Sequence, residues 1–266
     1  AIFKSFVMPP GITHANAFLS NIVRSLKMFV EVYFYFIRST MKHILRYFTL
    51  FEWLLYGLSL CFMILSFFIF NNHQMLYILS SVIGVTALIF VSKGHPIGQL
   101  LTIIFSLFYG FIAYTYHYYG EIITYLGMTT PMALLSLYTW MKHPHKKNIE
   151  VSVATLSNKQ YIAIAIMGIF ITFLSYLLLK QLKTQHVYWS SVSVFTSFIA
   201  SSLTLLRSKY YALSYAANDI ILIILWSLAS IDHTSYLAMV VCFMSFLCHD
   251  LYGFYYWHHM EKRQSL

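Results

Sequence analysis

YYALSYAANDIILIILWSLASIDHTSYLAMVVCFMSFLCHDLYGFYYWHH, residues 210–259, decides how this chain is read. It consists of two apolar runs of helix length joined by a short polar link at residues 230–235. Asn218 and Asp219 interrupt the first run, and His249 and Asp250 the second. A carboxylate held at membrane depth costs at least ~2.5–3.5 kcal/mol, so such acids face a bundle interior and mark a substrate or ion pathway. These two segments are where function is expected.

Composition supports the membrane reading. Of 266 residues, 59% are apolar, 19% aromatic and only 9% charged, against roughly 25% charged in soluble domains. The formal charge of +9 could suggest nucleic acid, but the basic residues fall in short connectors, where they set membrane orientation. No nucleic-acid partner is expected. Cys61, Cys242 and Cys248 all lie inside apolar runs, which argues against a disulfide framework. No secretory signal is read in the first twenty residues.

Taken outward from the opening stretch, the chain is all-α and polytopic. Spans of ~17–25 residues are read near 50–70, 75–92, 96–118, 120–141, 160–179, 188–206, 210–230 and 235–257, about eight in all. With the N-terminus inside, all of the seventeen Lys+Arg except Lys180 and Lys183 fall on the cytoplasmic side, and the positive-inside rule selects this orientation. Both termini are therefore expected in the cytoplasm. Ahead of the spans, residues 15–47 read either as a basic amphipathic segment along the anionic leaflet or as an irregular leader.

A weak internal repeat divides the spans. SSVIGVTALI from Ser80 resembles SSVSVFTSFI from Ser190, and Tyr119 to Trp140 has the same separation as Tyr236 to Trp257. An odd span between two sets of three makes the repeats parallel, a 3+1+3 core of the kind whose substrate binds between the halves. The expected parts are residues 1–49 (basic N-terminal segment), 50–71 (an extra span) and 72–141 (first repeat). They continue with 142–187 (connector and linking helix), 188–258 (second repeat) and 259–266 (tail).

Asp219 lies roughly 14 Å from the cytoplasmic start of its span and Asp250 roughly 12 Å from the cytoplasmic end of the next, so the two acids share a depth. Spacings of three and four put Tyr215, Asp219 and Trp226 on one helix face, and Asp250, Gly253 and Trp257 on another. Acids beside rings suit an organic cation. The alternative is a pair of acids satisfied within the bundle, with Asn218 as the partner of Asp219. Ser106, Thr129, Thr130 and Pro131 form a matching layer in the first repeat, where Pro131 frees a backbone carbonyl. HExxH, Walker A and Gly-x-Ser-x-Gly runs are missing from the sequence. No cofactor or metal is expected, and an intramembrane enzyme using Asp219 and Asp250 is the remaining alternative class.

HDLYGFYYW at 249–257, VSKGHPIGQLLTIIFSLFYGFIAYTYHYYGE at 91–121 and the order of spans resemble the PnuC-type nicotinamide riboside transporters, from about Glu52 to Trp257. The family pattern Asn-x-Tyr-Gly-x-x-x-Trp is met at Tyr252, Gly253 and Trp257, with Asp250 in place of asparagine. The resemblance implies a SWEET-like 3+1+3 fold with one extra N-terminal span. It also implies facilitated uptake of a vitamin precursor into a bacterial cell, trapped there by a cytoplasmic kinase. It points to Tyr215, Asp219, Asp250, Tyr252 and Trp257 as ligand contacts, beside Asn218, Trp226, Ser106 and Thr130 from the reading of the residues. On the seventh span Ala212, Tyr215 and Asp219 replace the family's tryptophan pair and asparagine, and Phe105 stands at the third-span asparagine position. Extra acids favour cationic nicotinamide riboside, then thiamine, over neutral riboflavin. Apolar faces serve lipid and partner subunits alike, which leaves a homo-oligomer open.

Overall fold

The structure, a computed structural model, describes residues 47–70, 75–115, 118–146, 149–184 and 186–266. The basic segment read at 15–47 lies outside them, except for its last residue. The chain divides into two units, 1–50 and 51–266, and the larger holds the helical bundle.

Each predicted span contains one helix: α1 (Leu50–Ile69), α2 (Met75–Ser92), α3 (Pro96–Thr115), α4 (Tyr119–Lys142), α5 (Asn158–Gln181), α6 (Val187–Leu205), α7 (Tyr211–Ala229) and α8 (Leu237–Gln264). α8 runs past the predicted membrane exit near 257. Seven of the eight are long and apolar enough to cross a membrane. α6 falls short on composition for a structural reason. Ser190, Ser193, Ser197, Ser201 and Thr204, at spacings of three and four, are all buried, so its hydroxyl face is turned into the bundle. α5 is the converse: Ile162, Ile166, Met167, Ile169, Phe170 and Phe173 are exposed, an apolar surface that only lipid or another subunit can cover.

Local chemistry explains the breaks. α4 contains a π-helical stretch, Ile123–Thr129, just before Pro131. Proline cannot donate to the preceding turn, and one extra residue in the ladder absorbs the mismatch. Thr130 closes it, donating through both its backbone N–H and its hydroxyl (2.8 Å) to the carbonyl of Tyr125.

α2 and α6 end in the same way. Gly94 (φ 66°) and Arg207 (φ 59°) take the left-handed conformation that stops a helix. Gly94 N–H donates to Val91 O (2.9 Å) and Arg207 N–H to Thr204 O (3.0 Å); His95 N–H donates to Phe90 O (3.0 Å) and Ser208 N–H to Leu203 O (2.9 Å). The connector bridges both ends, Val151 N–H donating to Gly94 O and Ala154 N–H to Arg207 O, each at 3.0 Å. Trp140 of α4 donates its indole N–H to Thr204 O on α6 (3.0 Å), and Trp257 of α8 to Val91 O on α2 (3.1 Å). The two indoles lie 5.4 Å apart. α8 packs on α2 as α4 packs on α6, and α2 packs on α3 as α6 packs on α7.

At the start of α3, Ile97 N–H donates to His95 Nδ1 at 3.1 Å. Only a neutral ring can accept there, and burial lowers the His95 pKa to about 4. In the unfolded chain the group titrates near its ordinary 6.5. His95 therefore contributes full stability above that pH, and the contribution is lost as pH falls toward 4. The melting temperature of the solubilised protein is expected to drop between pH 6.5 and 4, and His95→Gln to flatten part of that slope. An unchanged slope in the variant would place the acid sensitivity elsewhere.

Candidate functional site

A cavity opens between the two helix sets, with an empty volume of about 660 Å³ including its open mouth. α7 and α8 contribute Tyr215, Asn218, Asp219 and Asp250, and the opposing side contributes Gln99, Thr102 and Thr129. Phe105, Tyr125 and Phe246 form an aromatic wall, with Phe105 edge-on to Tyr125 (5.7 Å) and to Phe246 (5.5 Å). Ser197 and Thr204 extend the hydroxyl face of α6 into it. Gly84 forms part of the floor, where a Cβ would meet Phe246 Cζ at 2.5 Å, so a side chain here would compete with the ring for space.

Residues of the lining fall in pairs at matched offsets. Val91 and Thr204, whose carbonyls accept the two indoles, both line the cavity. So do Gly84 and Ser197, Thr102 and Tyr215, and Phe105 and Asn218, pairs at the offset that relates Gly94 to Arg207. The acids break this symmetry. Asp219 corresponds to Ser106 by that offset, and α8's Asp250 to Ala133 by the Trp140–Trp257 offset.

Hydroxyls fix the amide. Asn218 Oδ1 accepts from Thr196 Oγ1 (2.8 Å) and Ser197 Oγ (2.9 Å), with Ser193 Oγ at 3.4 Å. Ser193 also lies 3.1 Å from Oε1 of the buried Glu121. Tyr215 Oη pairs with Ser201 Oγ at 3.1 Å. Asp219 and Asp250 are each 4% exposed and line the cavity together. Asp219 Oδ2 is buried with no protein partner.

Of the sequence candidates, the structure brings Asp219, Asn218, Tyr215 and Asp250 together at the cavity and places the other five away from it. Trp226 is fully buried in a layer of rings, donating to Tyr109 Oη at 2.8 Å and packed edge-on to Tyr118 and Tyr236. Trp257 joins Trp140 at the opposite end. Tyr252 donates to Glu52 Oε1 on α1 at 2.5 Å, where Lys93 Nζ completes a buried ion pair at 3.0 Å. Ser106 and Thr130 bond each other at 2.7 Å. His249 Nε2 faces Ser59 on α1 at 3.2 Å. Spacing alone did not find Gln99, Thr102, Tyr125, Ser197, Thr204 or Phe246. The available signals were a lone amide in an apolar helix and the serine periodicity of α6.

Fold and cavity together define a multi-pass helical membrane protein with a small-molecule site between two sets of helices, the arrangement of a transporter. Residues 74–259 match the family described as nicotinamide mononucleotide transporter, and the chain belongs to that family. It is 26% identical over 203 residues to the nicotinamide riboside transporter PnuC of Neisseria mucosa, covering 74% of this chain and 77% of that protein. It is 22% identical over 192 residues to the protein of the same name from Haemophilus influenzae, covering 71% and 82%. The crystal structure of the vitamin B3 transporter PnuC superposes with a TM-score of 0.72 at 24% identity, covering 82% of this chain and 94% of that one. These are transporters, and the intramembrane-enzyme alternative is set aside.

Proposed function

We propose that this protein carries nicotinamide riboside into the cell, and that Asp219, Asp250, Asn218 and Tyr215 hold it against Phe105, Tyr125 and Phe246. The observation that carries this reading is one cavity lined by two carboxyls and by the rings of Phe105, Tyr125 and Phe246. A pyridinium ring gains Coulomb and cation–π attraction in such a site. Asn218, Ser197 and Thr204 suit the ribose hydroxyls and carboxamide. The family's description names a phosphorylated relative, nicotinamide mononucleotide, but a phosphate would face both carboxyls, and no lysine or arginine lines the cavity among the described residues. Trp226, Trp257, Tyr252, Ser106 and Thr130 act on this reading by holding the walls in place.

The repeated helix ends and tryptophan contacts support a parallel 3+1+3 core, α2–α4 and α6–α8 around α5, with α1 as the extra span. Transport down the substrate gradient, made directional by a cytoplasmic kinase, completes the proposal. Uptake of labelled nicotinamide riboside into proteoliposomes, with thiamine, riboflavin and nicotinamide mononucleotide as competitors, tests it. Competition by nicotinamide riboside and more weakly by thiamine is expected, with little from the other two. Preferential transport of the mononucleotide or of riboflavin would overturn the assignment.

Cytoplasmic termini follow from the positive-inside count. His143 and Ser265 are both exposed, so single cysteines there, in a background lacking Cys61, Cys242 and Cys248, are expected to resist an impermeant maleimide in intact cells. Ready labelling at either site would reverse the topology.

A further inference from the structure

We propose that Asp219 and Asp250 share a single proton in the empty cavity, and that a positively charged ligand expels it, so that binding one cation releases one proton to bulk water. The inference rests on the substrate class proposed above and adds a proton to its binding reaction. Three observations carry it. Both side chains line the same cavity, each residue is only 4% exposed, and each acid acts on the other's ionisation. Asp219 Oδ2 is buried, 4% exposed as a residue, and unpartnered in the protein, while its side chain lines the cavity: an acceptor with nothing to accept from until a ligand arrives.

Among the described residues the surroundings supply no compensating cation. On α7 the neighbouring titratable groups are Tyr211 and Tyr215, on α4 Tyr125 and, beyond Asn218, Glu121, and on α8 Cys242 and Cys248. His249 is turned to Ser59 on α1. α2, α3 and α6 line the cavity with residues that do not titrate: Gly84, Ala87, Leu88, Val91, Gln99, Thr102, Phe105, Ser197 and Thr204. Two adjoining carboxyls in such a place cannot both ionise unaided. A ligand cation supplies the missing charge. The O–H bond of the shared proton breaks, the proton leaves to water, and both carboxylates face the ligand. One acid charge before binding, and two balanced by one ligand charge after, leave the site with the same net charge in both states. The loaded and empty cavities then meet the low-dielectric bundle at similar electrostatic cost.

The test is titration calorimetry on the full chain in nanodiscs with nicotinamide riboside, thiamine and reduced nicotinamide riboside, in buffers of different ionisation enthalpy at one pH. For both cations the apparent enthalpy should track the buffer's ionisation enthalpy with a slope of about one released proton, and affinity should rise with pH. The uncharged reduced riboside should show no slope. Asp219→Asn and Asp250→Asn should each abolish the slope, because a single remaining acid has no second carboxyl to share with. Infrared difference spectra provide a check at the dyad itself: a protonated-carboxyl C=O band in the empty protein, lost on adding either cation and absent from both variants. Cation binding without proton release, or an empty protein lacking that band, overturns the inference. Thiamine binding with release while nicotinamide riboside fails to bind would sink the substrate assignment and leave the proton exchange standing. If neither cation binds, both are wrong.

Discussion

Asp219→Asn is expected to weaken nicotinamide riboside by roughly 1.5–3 kcal/mol, the range of a hydrogen bond to a charged group, which is about tenfold or more in affinity. The substitution keeps the shape of the side chain and most of its hydrogen-bonding capacity. What it removes is the charge of a carboxyl whose Oδ2 is buried without a protein partner. The reduced riboside has the same outline and no charge, so its affinity should change far less. The difference between the two ligands isolates the Coulomb contribution from any damage to folding. If cation binding expels the shared proton, the gap between wild type and variant should also widen as pH rises. The wild-type site no longer has a proton to give up at higher pH, and the variant has none at any pH. Calorimetry at two pH values measures all three quantities. Equal losses for both ligands, or none for either, would make Asp219 an acid that serves only the bundle.

The helices were legible because an apolar run long enough to span a bilayer has few other uses, and each of the eight read from the sequence is present. The proposed repeat shows in the sequence only as the Ser80 and Ser190 runs and the matched spacings to Trp140 and Trp257. In the structure each tryptophan donates to the last turn of a helix in the other set, a contact consistent with that proposal. Half of the site was legible for a similar reason. Asp219 and Asp250 are costly anywhere in lipid, so they had to face the interior, and Asn218 and Tyr215 came with them.

The rest was hidden by two effects. Sharing a helix face does not mean sharing a depth: Trp226 follows Asp219 by seven residues, about 10 Å along the axis, and ends up in a ring layer beyond the cavity. Helical periodicity also fails across Ile123–Thr129, where the π-helical turn shifts the phase, so Tyr125 could not be assigned to the cavity by counting in threes and fours, although Thr129 was. α6 illustrates a third limit. Its serines lower its hydropathy below that of a typical span, although they are what the interior of a polar cavity requires.

Trp140 and Trp257 permit the sharpest test of the repeat, and of whether Trp257 serves the ligand or the fold. Both are fully buried, both donate to the final turn of a helix in the opposite set, and their rings touch. If the halves are equivalent, Trp140→Ala and Trp257→Ala should destabilise by similar amounts, about 3–5 kcal/mol each for a buried ring. Both should lower the melting temperature in nanodiscs to a comparable extent. Their effects should not add, because each ring packs on the other and such pairs couple by about 0.5–1.5 kcal/mol. The milder substitutions to phenylalanine keep an aromatic ring but remove the N–H together with part of the indole's volume, leaving Thr204 O or Val91 O without its donor at a cost of about 1–3 kcal/mol before any loss of packing. On the structural reading, Trp257→Phe leaves the affinity for nicotinamide riboside close to that of Trp140→Phe, and both track stability. A loss of affinity confined to Trp257→Phe, at unchanged melting temperature, would return that side chain to the ligand and make the two halves functionally unequal at this layer. The acids already make them unequal at the cavity: the second repeat carries Asp219 and Asp250 where the first carries Ser106 and Ala133. On the proposed reading, charge confined to α7 and α8 is expected to orient a cationic ring with its positive end toward them.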